Sequence, residues 1–174
     1  MGFFSKKPKQ LSPEEQEELD GRLIDAAWTG GTETVEALLA VGADVHARDD
    51  YALREAAYRG HADTVRLLLG SGADAHAKDD EALRWAAYGG RTQTVQILAR
   101  HIFAPDFWRG KNRAEIEAEA EALYNKIKAD HPQPECLHMA GTILADTALT
   151  CWEQVRPPPP KLTISPLPAQ PRPL

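Results

Sequence analysis

Two stretches of the chain, thirty positions apart, nearly coincide. Tyr51-Ala-Leu-Arg-Glu-Ala-Ala-Tyr-Arg-Gly60 matches Glu81-Ala-Leu-Arg-Trp-Ala-Ala-Tyr-Gly-Gly90, and Asp44-Val-His-Ala-Arg-Asp-Asp50 matches Asp74-Ala-His-Ala-Lys-Asp-Asp80. The same offset aligns Leu23 with Leu53 and Leu83, Ala26 with Ala56 and Ala86, Gly30 with Gly60 and Gly90, and Val35 with Val65 and Val95. A fixed period held over this many positions means one supersecondary unit used three times. Within the unit, Leu53, Ala56 and Ala57 share one face of a short helix that Gly60 ends. Val65, Leu68 and Leu69 repeat that spacing on a second helix, closed by Gly72. Residues 73–80 carry no helical periodicity and read as an extended link to the next unit. Neither helix can bury its apolar face alone, so the units must stack. Leu and Ala dominate a composition with only 7% aromatic residues, which suits closely packed helices.

The pattern Gly60-His61, Val65, Leu68-Leu69 and Gly72-Ala73-Asp74 resembles the ankyrin repeat. The resemblance covers about residues 20–103 and implies an all-α, ankyrin-type α-solenoid of three repeats. The period is 30 residues where the family has about 33. The deficit falls between Asp79-Asp80 and Ala82-Leu83, where a β-hairpin finger normally projects. The Thr-Pro-Leu-His signature is replaced by Ala52-Leu53-Arg54 and Ala82-Leu83-Arg84, and His46 and His76 stand where Asn is usual. Shortened units of this kind resemble bacterial, phage and large-DNA-virus arrays more than animal ones.

Around the array the sequence divides into residues 1–11, a basic disordered start; 12–103, the array with its N-terminal cap; 104–156, a helical segment; and 157–174, a tail with eight prolines. Ser12, Pro13 and Glu15 form a capping box that starts a helix running to about Trp28. Phe103, Phe107 and Trp108 are placed to plug the far end of the array. Helices are expected from Asn112 to about Ala129 and from about Cys136 to Val155, with Pro132 and Pro134 breaking the first. This pair either caps the array or, through residues 112–155, joins two copies into a homodimer. The proline-rich tail reads as extended and disordered.

Several function classes lose support. The net charge is −6 and the one basic cluster, Lys6, Lys7 and Lys9, is followed by an acidic run, so nucleic acid is not the expected partner. No segment has 18 consecutive apolar residues, so no membrane span is expected. Cys136 and Cys151 form neither a disulfide framework nor a metal motif, and a reduced, cytoplasmic setting is expected. No phosphate loop, nucleophile signature or zinc helix is visible, and no cofactor or metal is expected. His46 and His76, one repeat apart, read as loop hydrogen-bonding residues rather than ligands, because a third ligand is missing.

A stacked array sets equivalent positions in rows. Trp28, Tyr58 and Tyr88 form one row, and in the ankyrin family that position faces a concave groove that contacts partners. Arg54 and Arg84 form a second; Asp25, Glu55 and Trp85 a third; Tyr51 and Glu81 occupy the clipped-finger row. The expected partner site is Tyr58, Tyr88, Trp85, Arg54, Arg84, Trp28, Tyr51, Glu55 and Glu81, with aromatic residues as anchors. The resemblance implies a non-catalytic module that binds a protein partner, as an inhibitor, immunity protein, effector or phage counter-defence factor. A homodimeric scaffold and a small-ligand or nucleotide-binding protein or enzyme are the rival readings.

Overall fold

Ser12 opens the first helix through a reciprocal pair of bonds. Its hydroxyl accepts from the Glu15 amide at 3.2 Å, and the Glu15 carboxylate accepts from the Ser12 amide at 2.8 Å. A computed structural model of the protein describes residues 11–104, 110–130 and 133–155. The basic start, Phe107, Trp108, Pro132 and the proline-rich tail of the sequence reading lie outside the described residues. The helices are α1 (Pro13–Thr29), α2 (Thr32–Ala40), α3 (Ala47–Arg59), α4 (Ala62–Gly70), α5 (Ala77–Tyr88), α6 (Thr92–Ile102), α7 (Arg113–Asp130) and α8 (Pro134–Val155). Among the described residues there is no strand, and the fold is an all-α solenoid.

The helices form two layers. In the first, α3 packs between α1 and α5, and α7 follows on α5; in the second, α4 packs between α2 and α6, and α8 follows on α6. The repeated apolar rows make the core between them. Leu23, Leu53 and Leu83 are fully buried, as are Ala27, Ala57, Ala87, Val35, Val65 and Val95. Alanine at the helix contacts lets neighbours approach closely enough for leucine and valine to fill the space at native density. Gly30 and Gly60 end α1 and α3 in the left-handed region, at φ 78° and 86°. A Cβ on Gly60 would stand 2.7 Å from the Arg91 side chain, so this turn requires glycine twice over.

The link between units is not extended, which corrects the sequence reading of residues 73–80. Lys78, Asp79 and Asp80 have φ of 53°, 61° and 62°, and Arg48, Asp49 and Asp50 have 53°, 56° and 57°. Each trio makes a single left-handed turn that leads directly into the right-handed helix. This is how a unit without a finger reaches its neighbour in thirty residues. Three such residues are individually unfavourable, although Asp tolerates the region better than most. Side chains hold the turn in place. Arg54 Nη2 donates to the Arg48 carbonyl at 3.0 Å, and Arg84 Nη2 to the Lys78 carbonyl at 3.1 Å.

Three polar ladders run through the stack, and the C-terminal helices complete each of them. Asp20 Oδ1 accepts from the Asp44 amide at 2.7 Å and Asp50 Oδ1 from the Asp74 amide at 2.9 Å. For Asp80 that role passes to Lys126 of α7, whose Nζ donates at 2.6 Å. The Trp28 carbonyl accepts from His61 Nε2 and the Tyr58 carbonyl from Arg91 Nε, both at 3.1 Å. The Tyr88 carbonyl is reached by Cys136 Sγ of α8 at 3.5 Å. Arg54 pairs with Glu81 of the following unit, and Arg84 with Asp130 at the end of α7. α7 ends at Asp130, ahead of Pro134, which was expected to break it and which begins α8, a position where its missing N–H costs nothing. Phe103 is 2% exposed and packs under α8 beside Cys151.

Candidate functional site

The first helix of each unit carries an aromatic residue in its last two positions, because the helix end beside the capping turn stands at the rim of the stack. Trp28, Tyr58 and Tyr88 therefore line up. Trp28 is 46% exposed and Tyr88 40%, two of the four large apolar or aromatic side chains that are well exposed among the described residues. The Tyr58 and Tyr88 rings stack with centroids 6.3 Å apart and planes within 13°. Trp85 meets Tyr58 edge-on at 6.0 Å. These offset and T-shaped arrangements are the ones the ring quadrupoles favour. Together with Glu55 and Arg59 the four aromatic residues line one open groove of about 350 Å3.

The remaining residues expected at the partner site are turned to internal work. Arg54 is buried between Tyr51, whose ring centroid lies 4.8 Å from its Cζ, and Trp85 at 5.7 Å, and it is paired with Glu81. Arg84 makes the equivalent pair with Asp130. Tyr51 and Glu81 are half-buried beside Arg54. The Glu55 carboxylate beside it holds the Tyr51 phenol above its ordinary pKa. The structure thus brings Trp28, Glu55, Tyr58, Trp85 and Tyr88 into one groove and sets Tyr51, Arg54 and Glu81 in a cluster behind them.

Arg59 was not anticipated. Its guanidinium lies 4.1 Å from the Trp28 ring centroid and 5.8 Å from that of Tyr58, bridging the first and second units across the rim. The signal available in the sequence was only its place beside Tyr58 at a helix end. The third unit has Gly89 there, and a Cβ at that position would stand 2.9 Å from the Tyr58 carbonyl. The cation therefore sits on one half of the groove, and bare aromatic surface on the other.

Elsewhere the histidines serve the turns. His46 Nδ1 lies 3.1 Å from Asp50 Oδ1, and His76 Nδ1 2.8 Å from Asp80 Oδ1. The Asp80 bond raises the His76 pKa against the opposing effect of burial. Burial pushes Asp80 up, but His76 and Lys126 outweigh it and hold its pKa below the usual value. Burial also pushes up the Cys151 thiol, which faces a depression between α6 and α8. Among the described residues no three His, Cys, Asp or Glu side chains gather as a metal site, and no helix is long and apolar enough to cross a membrane.

A family model described as ankyrin repeats, in three copies, matches residues 23–109, half of the chain. A search of curated proteins finds no match. The matched span contains the end of α1, all of α2 to α6 and every groove residue named above, and the chain belongs to the ankyrin-repeat family.

Proposed function

We propose that this protein docks a protein partner through the groove lined by Trp28, Tyr58, Trp85 and Tyr88. Ankyrin repeats generally mediate protein–protein interaction and are typically binding modules rather than enzymes. The observation that carries the choice of face is the exposure of Trp28 and Tyr88 on a rim whose neighbouring rings are held by stacking. Rigid aromatic side chains that bury large area at small entropic cost are the usual anchors of interfaces. A partner contributes one or two apolar or proline residues against the rings, and a cation or amide that reaches Glu55. A role as antagonist, by occupying a surface of its partner, is the narrower form of this reading and rests on analogy within the family.

The test compares the wild type with Tyr58→Ala/Tyr88→Ala and with Trp28→Ala in capture from host lysate, then in titration of the captured protein. Loss of two central aromatic anchors is expected to weaken binding at least 30-fold, about 2 kcal/mol. Far-UV circular dichroism should stay unchanged, because neither ring is fully buried. Equal affinity in all three proteins would move the site off this face.

A further inference from the structure

The aromatic groove already carries a cation of its own, and the way it does so indicates what a partner brings. Arg59 sets its guanidinium 4.1 Å from the Trp28 ring centroid, reaching back from the second unit to the first. Behind the groove, Arg54 lies beside the Tyr51 and Trp85 rings, at 4.8 and 5.7 Å. The rings of this face are thus platforms for guanidinium groups, whose planar charge is attracted to the negative face of the ring. Building on the groove reading above, we infer that the partner's anchor is an arginine side chain, seated among Tyr58, Trp85 and Tyr88 with its charge facing Glu55.

The register of the repeat carries the argument. Arg59 meets the ring of Trp28, thirty-one residues before it. The same step forward from Tyr58 leads to Gly89, which has no side chain. The third unit cannot supply a cation at that position, because a Cβ on Gly89 would stand 2.9 Å from the Tyr58 carbonyl. Arg91, two residues on, donates its Nε to that carbonyl at 3.1 Å and is not among the residues that line the groove. The chain therefore places a guanidinium on the first aromatic step of the row and leaves the second step to be filled from outside.

The charge of the groove agrees. Glu55 lines it and has no ion pair among the described residues; its carboxylate neighbours the neutral Tyr51 phenol. Arg59 follows Glu55 by one helical turn, the spacing at which such pairs form, yet it lies on Trp28 instead. Asp25, at the Glu55 position of the first unit, is exposed and also has no ion pair among the described residues. An apolar anchor alone would desolvate Glu55 without a partner, which costs more than the contact returns. An arginine satisfies the carboxylate and stacks on the rings at once. A lysine does the first but not the second, since its compact ammonium is strongly hydrated and has no plane to stack. With a net charge of −6, the chain as a whole draws in a basic partner surface and repels an acidic one.

The experiment titrates the full chain, labelled with 15N, with the blocked pentapeptide acetyl-Gly-Ala-Arg-Ala-Gly-amide. Its control carries citrulline, which keeps the planar shape and loses the charge. The arginine peptide is expected to shift the Trp85 indole resonance and the Tyr58 and Tyr88 amides. It should bind about 5- to 30-fold more tightly than the citrulline peptide, the range of a partly desolvated cation on aromatic rings. Glu55→Gln should remove most of that difference. Arg59→Ala should tighten arginine binding about threefold, the repulsion of two unit charges about 7 Å apart in water. Equal binding of the arginine and citrulline peptides, equal binding of a lysine peptide, or no shift at Trp85 and Tyr58 at millimolar peptide each overturn the inference. So does binding of a glutamate peptide that Arg59→Ala abolishes, which would mark an acidic partner. If any of these comes with partner capture still lost in Tyr58→Ala/Tyr88→Ala, the groove reading stands and the arginine falls. Capture indifferent to that double variant, with the arginine peptide still shifting Trp85, removes the groove as the partner's site and the inference with it.

Discussion

Asp20, Asp50 and Asp80 occupy one position of the repeat, and each does the same job with a different partner. Asp50 and Asp80 are 4% and 3% exposed, and amide, imidazole or ammonium donors reach their carboxylates, the satisfaction that burying a polar group demands. This makes the Asp80 cluster pH-sensitive at both ends. The His76 pKa is raised from 6.5, so its contribution to stability is complete below that value and is lost as pH rises through the folded value. The Asp80 pKa is lowered from 3.8, so its contribution is present above that value and is lost as pH falls through the folded one. The cluster therefore contributes most between the two. His76 is half exposed and screened, and its ionic share is about 0.5 kcal/mol, or 1–2 °C in Tm. The Tm difference between wild type and His76→Gln should be largest near pH 5.5 and close to zero by pH 8.5. A difference that stays flat across that range would mean the imidazole acts only as a neutral hydrogen-bonding group. The loop hydrogen bonding of His76 was legible in the sequence, but the cluster was not, because nothing local brings Lys126 to Asp80, forty-six residues away.

The capping turns and the left-handed turns both use positive φ, and they should respond to substitution in opposite ways. Gly60 sits at φ 86° with the Arg91 side chain against it, and that side chain holds the Tyr58 carbonyl. Gly60→Ala adds backbone strain and displaces Arg91, a loss of about 1–3 kcal/mol. Arg48 sits at φ 53° with its side chain largely in solvent, making only a 3.6 Å contact with Glu17. Arg48→Gly relieves about 1–2 kcal/mol of left-handed cost against about 0.5–1 kcal/mol of added chain entropy. A gain of about 0.5 kcal/mol, or 1–2 °C, is expected by thermal or urea denaturation. If Arg48→Gly destabilises instead, the left-handed turn is not strained. The helices themselves were legible, since their apolar spacing and caps are local signals that agree. The turns were not. Residues 73–80 lack periodicity, and a loop and a single turn of reversed hand look alike in sequence. The clipped finger indicated that something must shorten the link, and the Arg54 and Lys78 geometry shows what does so.

Repeat arrays expose a raw apolar face at each end unless something covers it. Here α7 and α8 stand where a fourth unit would, although their sequence matches none of the three. That is why the pattern left two outcomes open, a cap within the chain or a second copy laid against it. A dimer formed through these helices needs an uncovered apolar stripe, and a stable one buries about 800 Å2 per partner. The stripes are already covered. Ile116, Leu123 and Ile127 on α7 are at most 1% exposed, and Ala140, Leu144 and Ala148 on α8 at most 2%. On the helix pair, Leu149 is the one large apolar side chain left well exposed among the described residues, at 44%. The polar ladders agree, because Lys126, Asp130 and Cys136 take up the Asp80, Arg84 and Tyr88 positions that a further unit would otherwise serve. Light scattering on the full chain at tens of micromolar should therefore return about the monomer mass of 19.2 kDa. Lys126→Met leaves Asp80 without its ammonium partner and should lower stability by about 1–3 kcal/mol while leaving that mass unchanged. A dimer mass in the wild type would mean that Leu149 and its surroundings, rather than the array, meet the second copy. An unchanged Tm in Lys126→Met would mean that the helices lean on the stack without closing it.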